Sequence, residues 1–124
     1  MSMDYDRSLA KSFGYSVEGV GHALKHNRNL RIAFCLAAFV VGLGLYFRVT
    51  SFEMTILVIM ILLVILSEMI NTSIEEMVDL ITSEHKREAK IAKDVAAGMV
   101  LIAAIGSVIV GFLIFTPYVL KLFK

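Results

Sequence analysis

Residues 95–115 restrict the fold more than any other part of the chain, because they form a run of 21 amino acids without a charged side chain. As an α-helix this run measures about 31 Å, close to the hydrocarbon thickness of a bilayer, about 30 Å. The composition agrees, since 58% of the 124 residues are hydrophobic and the mean hydropathy is +0.80. These values are untypical of soluble domains and predict an all-α integral membrane protein with a single domain, residues 1–124.

Two further apolar segments are long enough to cross a bilayer as helices. Residues 30–49 form the first predicted span. In the second, only 13 residues precede Ser67 and Glu68, which is too short to cross, so we expect the helix to continue over residues 54–81. The third predicted span is 95–116, and Pro117 is expected to end it. Between the second and third spans, residues 83–94 are predicted to be a charged link.

The N-terminal region has the pattern of an amphipathic helix lying on the membrane surface. Its apolar stripe consists of Leu9, Phe13, Val17, Val20 and Leu24. The surface helix and a polar connector are expected to occupy residues 1–29. Most basic residues lie before the first span or in the charged link, namely Arg7, Lys11, Lys25, Arg28, Arg31, Lys86, Arg87, Lys90 and Lys93. Because basic segments stay on the cytoplasmic side, both regions are predicted to be cytoplasmic.

A stripe of polar side chains runs along the end of the second predicted span. At 100° per residue, its members lie at roughly 0, 300, 40, 340 and 20° around the helix; they are Glu68, Asn71, Thr72, Glu75 and Asp79, here called the acidic stripe. A carboxylate within the bilayer costs about 2.5–3.5 kcal/mol on insertion scales, so Glu68 is expected to face a protein interior and to be functional. Glu75 and Asp79, nearer to water, provide oxygen ligands of the kind that Mg²⁺ prefers.

Several functional classes remain open on this pattern, while others are disfavoured. Cys35 is the single cysteine, so a disulfide framework or cysteine metal site within one chain is excluded. The net charge of +1 gives no indication of a nucleic acid partner. Carboxylates for a metal and basic groups for phosphates on one side of the membrane indicate a nucleotide-using enzyme, although there is no P-loop motif. A small cation or proton transporter and a non-catalytic scaffold are the alternatives.

The residues around the stripe also resemble a known family. The segment EMINTSIEEMVD at 68–79, His85, and AKIAKDVAAG at 89–98 are similar to the small integral-membrane prokaryotic diacylglycerol kinases. Residues 13–16 and the Arg28-Asn29 pair extend this similarity over most of the chain. The sequences at 79–81 and 96–98 are more similar to the Gram-positive branch, whose members phosphorylate undecaprenol, than to the branch that phosphorylates diacylglycerol.

The resemblance implies a homotrimer of three-span protomers in the bacterial cell membrane, with active sites at protomer interfaces that face the cytoplasm. The implied reaction is phosphorylation of undecaprenol by ATP with Mg²⁺, and diacylglycerol is the alternative acceptor. Glu68 matches the catalytic base. The implied ATP-binding residues are Tyr15, Asn71, Glu75, Asp79, Glu84, His85, Lys86, Lys93 and Asp94. The implied metal ligands are Glu75 and Asn27, and Ser16, Glu68 and Ala97 would contact the lipid substrate.

Two positions depart from the family pattern. Asn27 stands just before Arg28-Asn29, where the family usually has a metal-binding glutamate, and a neutral amide can ligate a metal but brings no charge. Ala33 stands where a histidine is expected in the Gram-positive pattern. The first departure concerns the second metal ligand, and the second leaves the lipid acceptor open between undecaprenol and diacylglycerol.

Overall fold

The computed structural model describes residues 8–124, and this part of the chain is entirely helical in its regular structure. Its four helices are α1 (Leu9–His26), α2 (Arg28–Phe47), α3 (Ser51–Ile81) and α4 (Arg87–Lys121). The last three are long and apolar enough to cross a membrane. The prediction of an all-α chain with one N-terminal helix and three candidate spans is therefore confirmed. Residues 1–7, which the sequence assigned to the region of the surface helix and connector, lie outside the described residues.

Local sequence signals explain where the helices begin. The side chain of Ser8 caps α1 by accepting a hydrogen bond of 3.3 Å from the backbone N–H of Lys11. Thr50 and Glu53 form a capping box at the start of α3, each side chain accepting a hydrogen bond from the other residue's backbone N–H. Between α2 and α3, Arg48 adopts a left-handed conformation with φ 55°, which reverses the chain within a few residues.

The charged link is shorter than expected. Residues 87–94 form the first two turns of α4, so that only residues 82–86 connect it to α3. Lys90 and Asp94 form an ion pair of 2.6 Å one turn apart, and Glu88 lies in the first turn, where a negative charge is favourable. These charges therefore stabilise a helix that extends beyond the apolar segment.

The helix α4 also continues past Pro117, which the sequence predicted to be its end. Pro117 lies inside α4, four residues before the last helical residue, Lys121. A proline removes its own backbone donor, but the residues after it can stay helical when other contacts hold them. Here the hydroxyl of Tyr118 donates a short hydrogen bond to the Glu53 carboxylate on α3. This contact anchors the final turn of α4 to the start of α3.

The central helix of the bundle is α3, against which both α2 and α4 pack. Contacts along α4 show an antiparallel register, since Lys93 pairs with Asp79 at one end and Tyr118 with Glu53 at the other. Where α2 meets α3, Gly44 of α2 approaches Met54 so closely that a Cβ atom at Gly44 would lie 2.6 Å from Met54 Cε. The shorter helix α1 contacts α2 and α3 near Asn27, the residue between α1 and α2.

A single copy of the bundle buries few of its large apolar side chains. Among the described residues, the buried hydrophobic ones are Ala23, Leu30, Leu57, Ala96 and Ile114. In contrast, the outer faces of α2, α3 and α4 expose many leucine, isoleucine and phenylalanine side chains, and an apolar groove of about 650 Å³ is lined by all three helices. Apolar surface of this extent requires a cover of lipid or of protein.

Candidate active site

The acidic stripe begins with a carboxylate that the bundle buries. Glu68 is 5% exposed, and it is the one buried charged residue in the part of the chain that the structure describes. It lies on α3 beside Ser67, whose hydroxyl donates a hydrogen bond of 2.8 Å to the carbonyl of Val64. Because a desolvated carboxylate is costly, the groups that contact Glu68 determine whether it is stable and what it can do.

The partner of Glu68 is the residue that joins α1 to α2. The side-chain amide of Asn27 donates hydrogen bonds to Oε2 of Glu68, at 3.1 Å, and to the hydroxyl of Thr72, at 2.7 Å. The Thr72 hydroxyl in turn donates to the backbone carbonyl of Glu68, at 3.0 Å. The structure thus brings two members of the acidic stripe together with Asn27.

The middle of the stripe offers oxygen atoms to a ligand. The amide of Asn71 donates a hydrogen bond of 3.3 Å to Oε1 of Glu75, one turn further along α3. Within residues 8–124, Oδ1 of Asn71 is the single buried side-chain oxygen or nitrogen without a hydrogen-bond partner. An unpartnered oxygen beside an exposed carboxylate is the donor set that Mg²⁺ prefers when phosphates complete its shell. No group of three or more histidine, cysteine, aspartate or glutamate side chains suited to a metal occurs in the described range.

The far end of the stripe is paired with a cation on α4. Nζ of Lys93 donates a hydrogen bond of 2.7 Å to Oδ1 of Asp79. This hydrogen bond, supported by the charges of Asp79 and Glu75, raises the pKa of Lys93 above its ordinary value of 10.5. Lys93 is therefore a permanent positive charge at neutral pH, placed beside the outer carboxylates of the stripe.

The remaining predicted site residues are found on α1, in the 82–86 link and in the first turns of α4. Asp94 is paired with Lys90 at 2.6 Å, and Lys86 lies 3.9 Å from Glu84 in the link. Within residues 8–124, no hydrogen bond or ion pair connects the acidic stripe to the exposed residues Ser16, His85 and Ala97. Tyr15 is 51% exposed on α1. The predicted roles of these residues in binding ATP or lipid stay predictions.

Several contacts of α1 were not anticipated from the sequence. Nε2 of His22 lies 3.7 Å from the carboxylate of Glu76 on α3. The His22 ring also stacks on the ring of His26, with 4.1 Å between their centroids. The guanidinium of Arg31 donates to the carbonyls of Leu24 and Lys25, at 2.7 and 3.0 Å. The four-residue spacing of the histidines was a readable signal that they share a helix face, whereas the Arg31 contacts depend on the angle between α1 and α2.

The members of the acidic stripe change from buried to exposed along α3. Glu68 and Asp79 are separated by about 16 Å of α3, the first in a buried polar pocket and the second at an exposed ion pair. A buried carboxylate can accept a proton from a hydroxyl group, and exposed oxygens with a lysine can hold a metal and phosphates. The arrangement therefore suits phosphoryl transfer from a water-soluble donor to an alcohol within the membrane.

Comparisons with known proteins agree with this chemistry. The sequence profile described as prokaryotic diacylglycerol kinase matches residues 14–115. A diacylglycerol kinase from Synechocystis sp. is 38% identical over 116 residues, which are 93% of this chain but 66% of that protein. An undecaprenol kinase from Bacillus subtilis is 37% identical over 107 residues, covering 86% of this chain and 87% of that protein. A diacylglycerol kinase from Escherichia coli is 31% identical over 101 residues.

Proposed function

The chain belongs to the prokaryotic diacylglycerol kinase family, and we propose that it transfers the γ-phosphoryl group of ATP to the hydroxyl of a membrane lipid. The observation that carries this proposal is the burial of Glu68, at 5% exposure, on the same helix face as the oxygen ligands of Asn71 and Glu75. A lipid hydroxyl is anchored at the membrane by its tail, whereas ATP arrives from water. The acidic stripe, which is buried at Glu68 and exposed at Asp79, matches these two directions of approach.

In the proposed reaction, Glu68 accepts the proton of the lipid hydroxyl as its oxygen forms a bond to the γ-phosphorus of ATP. The bond between that phosphorus and the bridging oxygen of ADP breaks, so the products are a lipid phosphate and ADP. Burial excludes water from Glu68, which limits loss of the phosphoryl group to hydrolysis. Positioning and charge neutralisation supply most of the rate enhancement in this class of reaction.

The residues of the stripe fit a magnesium ion, and we infer that Glu75 and Asn71 hold it. Glu75 supplies a charged oxygen, and the unpartnered Oδ1 of Asn71 supplies a neutral one. Mg²⁺ bound there with ATP would neutralise charge on the phosphate oxygens. Lys93 and Asp79 lie at the exposed end of the stripe, where Lys93 adds a positive charge for the nucleotide phosphates. The exposed groups of Tyr15, Glu84, His85, Lys86 and Asp94 are proposed to contact the nucleotide.

For the acceptor we propose undecaprenol, with diacylglycerol as the alternative. The support is the relative named undecaprenol kinase, which this chain matches over 87% of that protein's length. The relative named diacylglycerol kinase from Synechocystis sp. has similar identity, 38%, but this chain spans 66% of it. Ser16 and Ala97 are exposed on α1 and α4 and are proposed to contact the lipid.

We further propose a homotrimer in the bacterial cell membrane with its acidic stripe towards the cytoplasm. The orientation rests on the basic residues near α1 and the 82–86 link. The assembly rests on the exposed apolar faces and on Ala103, Ser107 and Gly111, small residues spaced by four along α4 that allow close helix packing. Native mass spectrometry of the detergent-solubilised chain is expected to give three copies.

Radiolabelled ATP offered to the purified chain in lipid vesicles tests the activity and the acceptor. We expect label in undecaprenyl phosphate, and a preference for diacylglycerol would overturn the choice of acceptor. Glu68→Gln keeps the shape of the side chain but removes the base, so lipid phosphorylation should fall by at least about 100-fold. Glu76→Gln is the matched control, because Glu76 lies exposed on the same helix and contacts His22 rather than the stripe.

The rival function is transport of a cation or proton through the carboxylates of α3. It predicts uptake of protons or metal ions into vesicles in the absence of ATP, with no labelled lipid product. If the folded wild-type chain transports ions and does not phosphorylate either lipid, the kinase proposal is wrong.

A further inference from the structure

We propose that Asn27 is a positioning residue that holds the Glu68 carboxylate in place for the lipid hydroxyl. This inference rests on the proposed function of Glu68 as the base. Each polar atom of the Asn27 amide already has a protein partner: Oδ1 accepts the backbone N–H of Leu30 at 3.1 Å, and Nδ2 donates to Glu68 and Thr72. Of the two ends of the amide, only the oxygen can accept a hydrogen bond from the Leu30 N–H, so this contact fixes the NH2 end towards Glu68.

The backbone of Asn27 is held as firmly as its side chain. Its N–H donates to the carbonyl of Ala23 at 2.8 Å, which ends α1, and its carbonyl accepts the N–H of Arg31 at 3.3 Å, which begins α2. The next helical turn contains Leu30, which is fully buried. Both backbone groups and both side-chain groups of Asn27 form hydrogen bonds. The connection between α1 and α2 therefore holds the amide in a fixed orientation towards α3.

The contact with Glu68 is reinforced from the α3 side. The Thr72 hydroxyl accepts from the Asn27 amide and donates to the Glu68 carbonyl, so that three residues form a closed set of hydrogen bonds. A hydrogen bond to an ionised carboxylate in a buried site is stronger than a neutral one. Asn27 engages Oε2 of Glu68 and not Oε1. Oε1 is therefore the oxygen left for the hydroxyl of the acceptor.

This role differs from metal binding, which the resemblance implied for the same position. An amide ligates a metal through its oxygen, and Oδ1 of Asn27 is the atom that caps α2. A metal at that oxygen would have to share its lone pairs with the buried N–H of Leu30. In the described residues, no hydrogen bond links Asn27 to Glu75 or Asn71. The two roles therefore make opposite predictions for a substitution that adds a carboxylate at this position.

The decisive variant is Asn27→Asp, measured in the full-length protein in lipid vesicles. Aspartate caps helices as well as asparagine does, but it cannot donate to Glu68 and places a second negative charge beside it. We expect kcat to fall by about 10-fold or more, while the KM for ATP and the half-saturating Mg²⁺ concentration stay within about twofold of wild type. Wild-type kcat, or a lower Mg²⁺ requirement, would overturn the positioning role.

Two further variants separate positioning from folding. Asn29→Asp makes the same chemical change two residues along, at an exposed position outside the site, and should leave kcat unchanged. Thr72→Val removes the shared hydroxyl but preserves shape, and we expect a several-fold loss of kcat with unchanged KM for ATP. If Asn27→Asp does not assemble, wild-type kcat in Thr72→Val overturns the proposal. An inactive wild-type chain would instead refute the proposed function itself.

Discussion

Nζ of Lys93 lies 2.7 Å from Oδ1 of Asp79, so the first turns of α4 and the last turn of α3 are joined across the short link between them. The pair places a fixed positive charge next to the carboxylates at the exposed end of the acidic stripe. That position suits a side chain that contacts nucleotide phosphates and also orients Asp79. Its importance for the proposed reaction can be measured.

Substitution of Lys93 by methionine should weaken ATP binding. Methionine keeps most of the length and apolar character of the lysine side chain but removes its charge. We expect the KM for ATP to rise by about 10-fold, which corresponds to roughly 1.4 kcal/mol of lost interaction. Initial rates of lipid phosphorylation at varied ATP concentration give this value.

The matched control is Lys11→Met, since Lys11 is exposed on α1 and is not part of the stripe. An equal rise in KM for the Lys11 and Lys93 variants would show that the effect reflects general charge rather than the position of Lys93. An unchanged KM in Lys93→Met would show that this lysine does not contact the nucleotide.

The same ion pair predicts a pH dependence of stability. The pKa of Lys93 is raised in the folded chain by its hydrogen bond to Asp79, so this contact stabilises the fold below the ordinary lysine value of 10.5. The contribution is lost as pH rises through the raised pKa. We expect Tm to differ between wild type and Lys93→Met by a constant, small amount from pH 7 to 9, since both side chains are largely exposed.

The difference in Tm should decline as pH rises through the raised pKa of Lys93, because the wild-type side chain then loses its charge as well. Lys93→Arg provides the control: its guanidinium stays charged in this pH range, so its Tm should remain above that of Lys93→Met. A wild-type advantage that does not decline at any pH above 10.5 would contradict a stabilising role for the lysine charge.

A different contact controls stability at the opposite end of the bundle. The Tyr118 hydroxyl donates to Glu53, which holds the turn of α4 that follows Pro117. Tyr118→Phe should destabilise the fold by about 0.5–1.5 kcal/mol, the usual net contribution of one hydrogen bond. Thermal unfolding followed by circular dichroism should show a Tm lower by a few degrees.

The kinetic parameters of Tyr118→Phe should stay within about twofold of wild type, because Tyr118 lies near the end of α4 opposite to Lys93 and the acidic stripe. A matched change at an exposed aromatic residue, Tyr46→Phe, should alter neither stability nor rate. A loss of kcat in Tyr118→Phe without a loss of stability would reveal an influence of the outer end on the site.

The hydropathy pattern predicted much of this fold, including the three apolar helices and the continuation of α3 through Glu68. The polar turns 87–94 were not recognised as helix, because charged residues look alike in a solvated loop and in an exposed helix. Only the spacing of Lys90 and Asp94, one turn apart, indicated helical pairing. The helix beyond Pro117 depends on Tyr118 and Glu53, which lie 65 residues apart in sequence.

The site shows the same division between local and tertiary information. Helical periodicity alone placed Glu68 and Thr72 on one face of α3. It gave no information on Asn27, which is 41 residues from Glu68 and reaches it only because α1 and α2 meet at an angle beside α3. Contacts between helices depend on their packing angles, which the pattern of one helix does not specify.

The proposed magnesium site predicts a specific defect for Glu75→Gln. This variant keeps an oxygen that can ligate but removes its charge, so Mg²⁺ should bind more weakly while Glu68 is unaffected. We expect the half-saturating Mg²⁺ concentration to rise by about 10-fold and kcat at saturating Mg²⁺ to recover to within about threefold of wild type. Lipid phosphorylation measured over a range of Mg²⁺ at fixed free ATP separates these two quantities.

Glu76→Gln removes the same charge from the adjacent residue and tests whether position matters. Glu76 contacts His22 of α1 and lies on the shoulder of the stripe, so its loss should leave the Mg²⁺ dependence unchanged. If both variants shifted the Mg²⁺ requirement equally, the ion would respond to the general negative potential of α3. A shift confined to Glu75→Gln indicates direct ligation, because only Glu75 lies beside the unpartnered oxygen of Asn71.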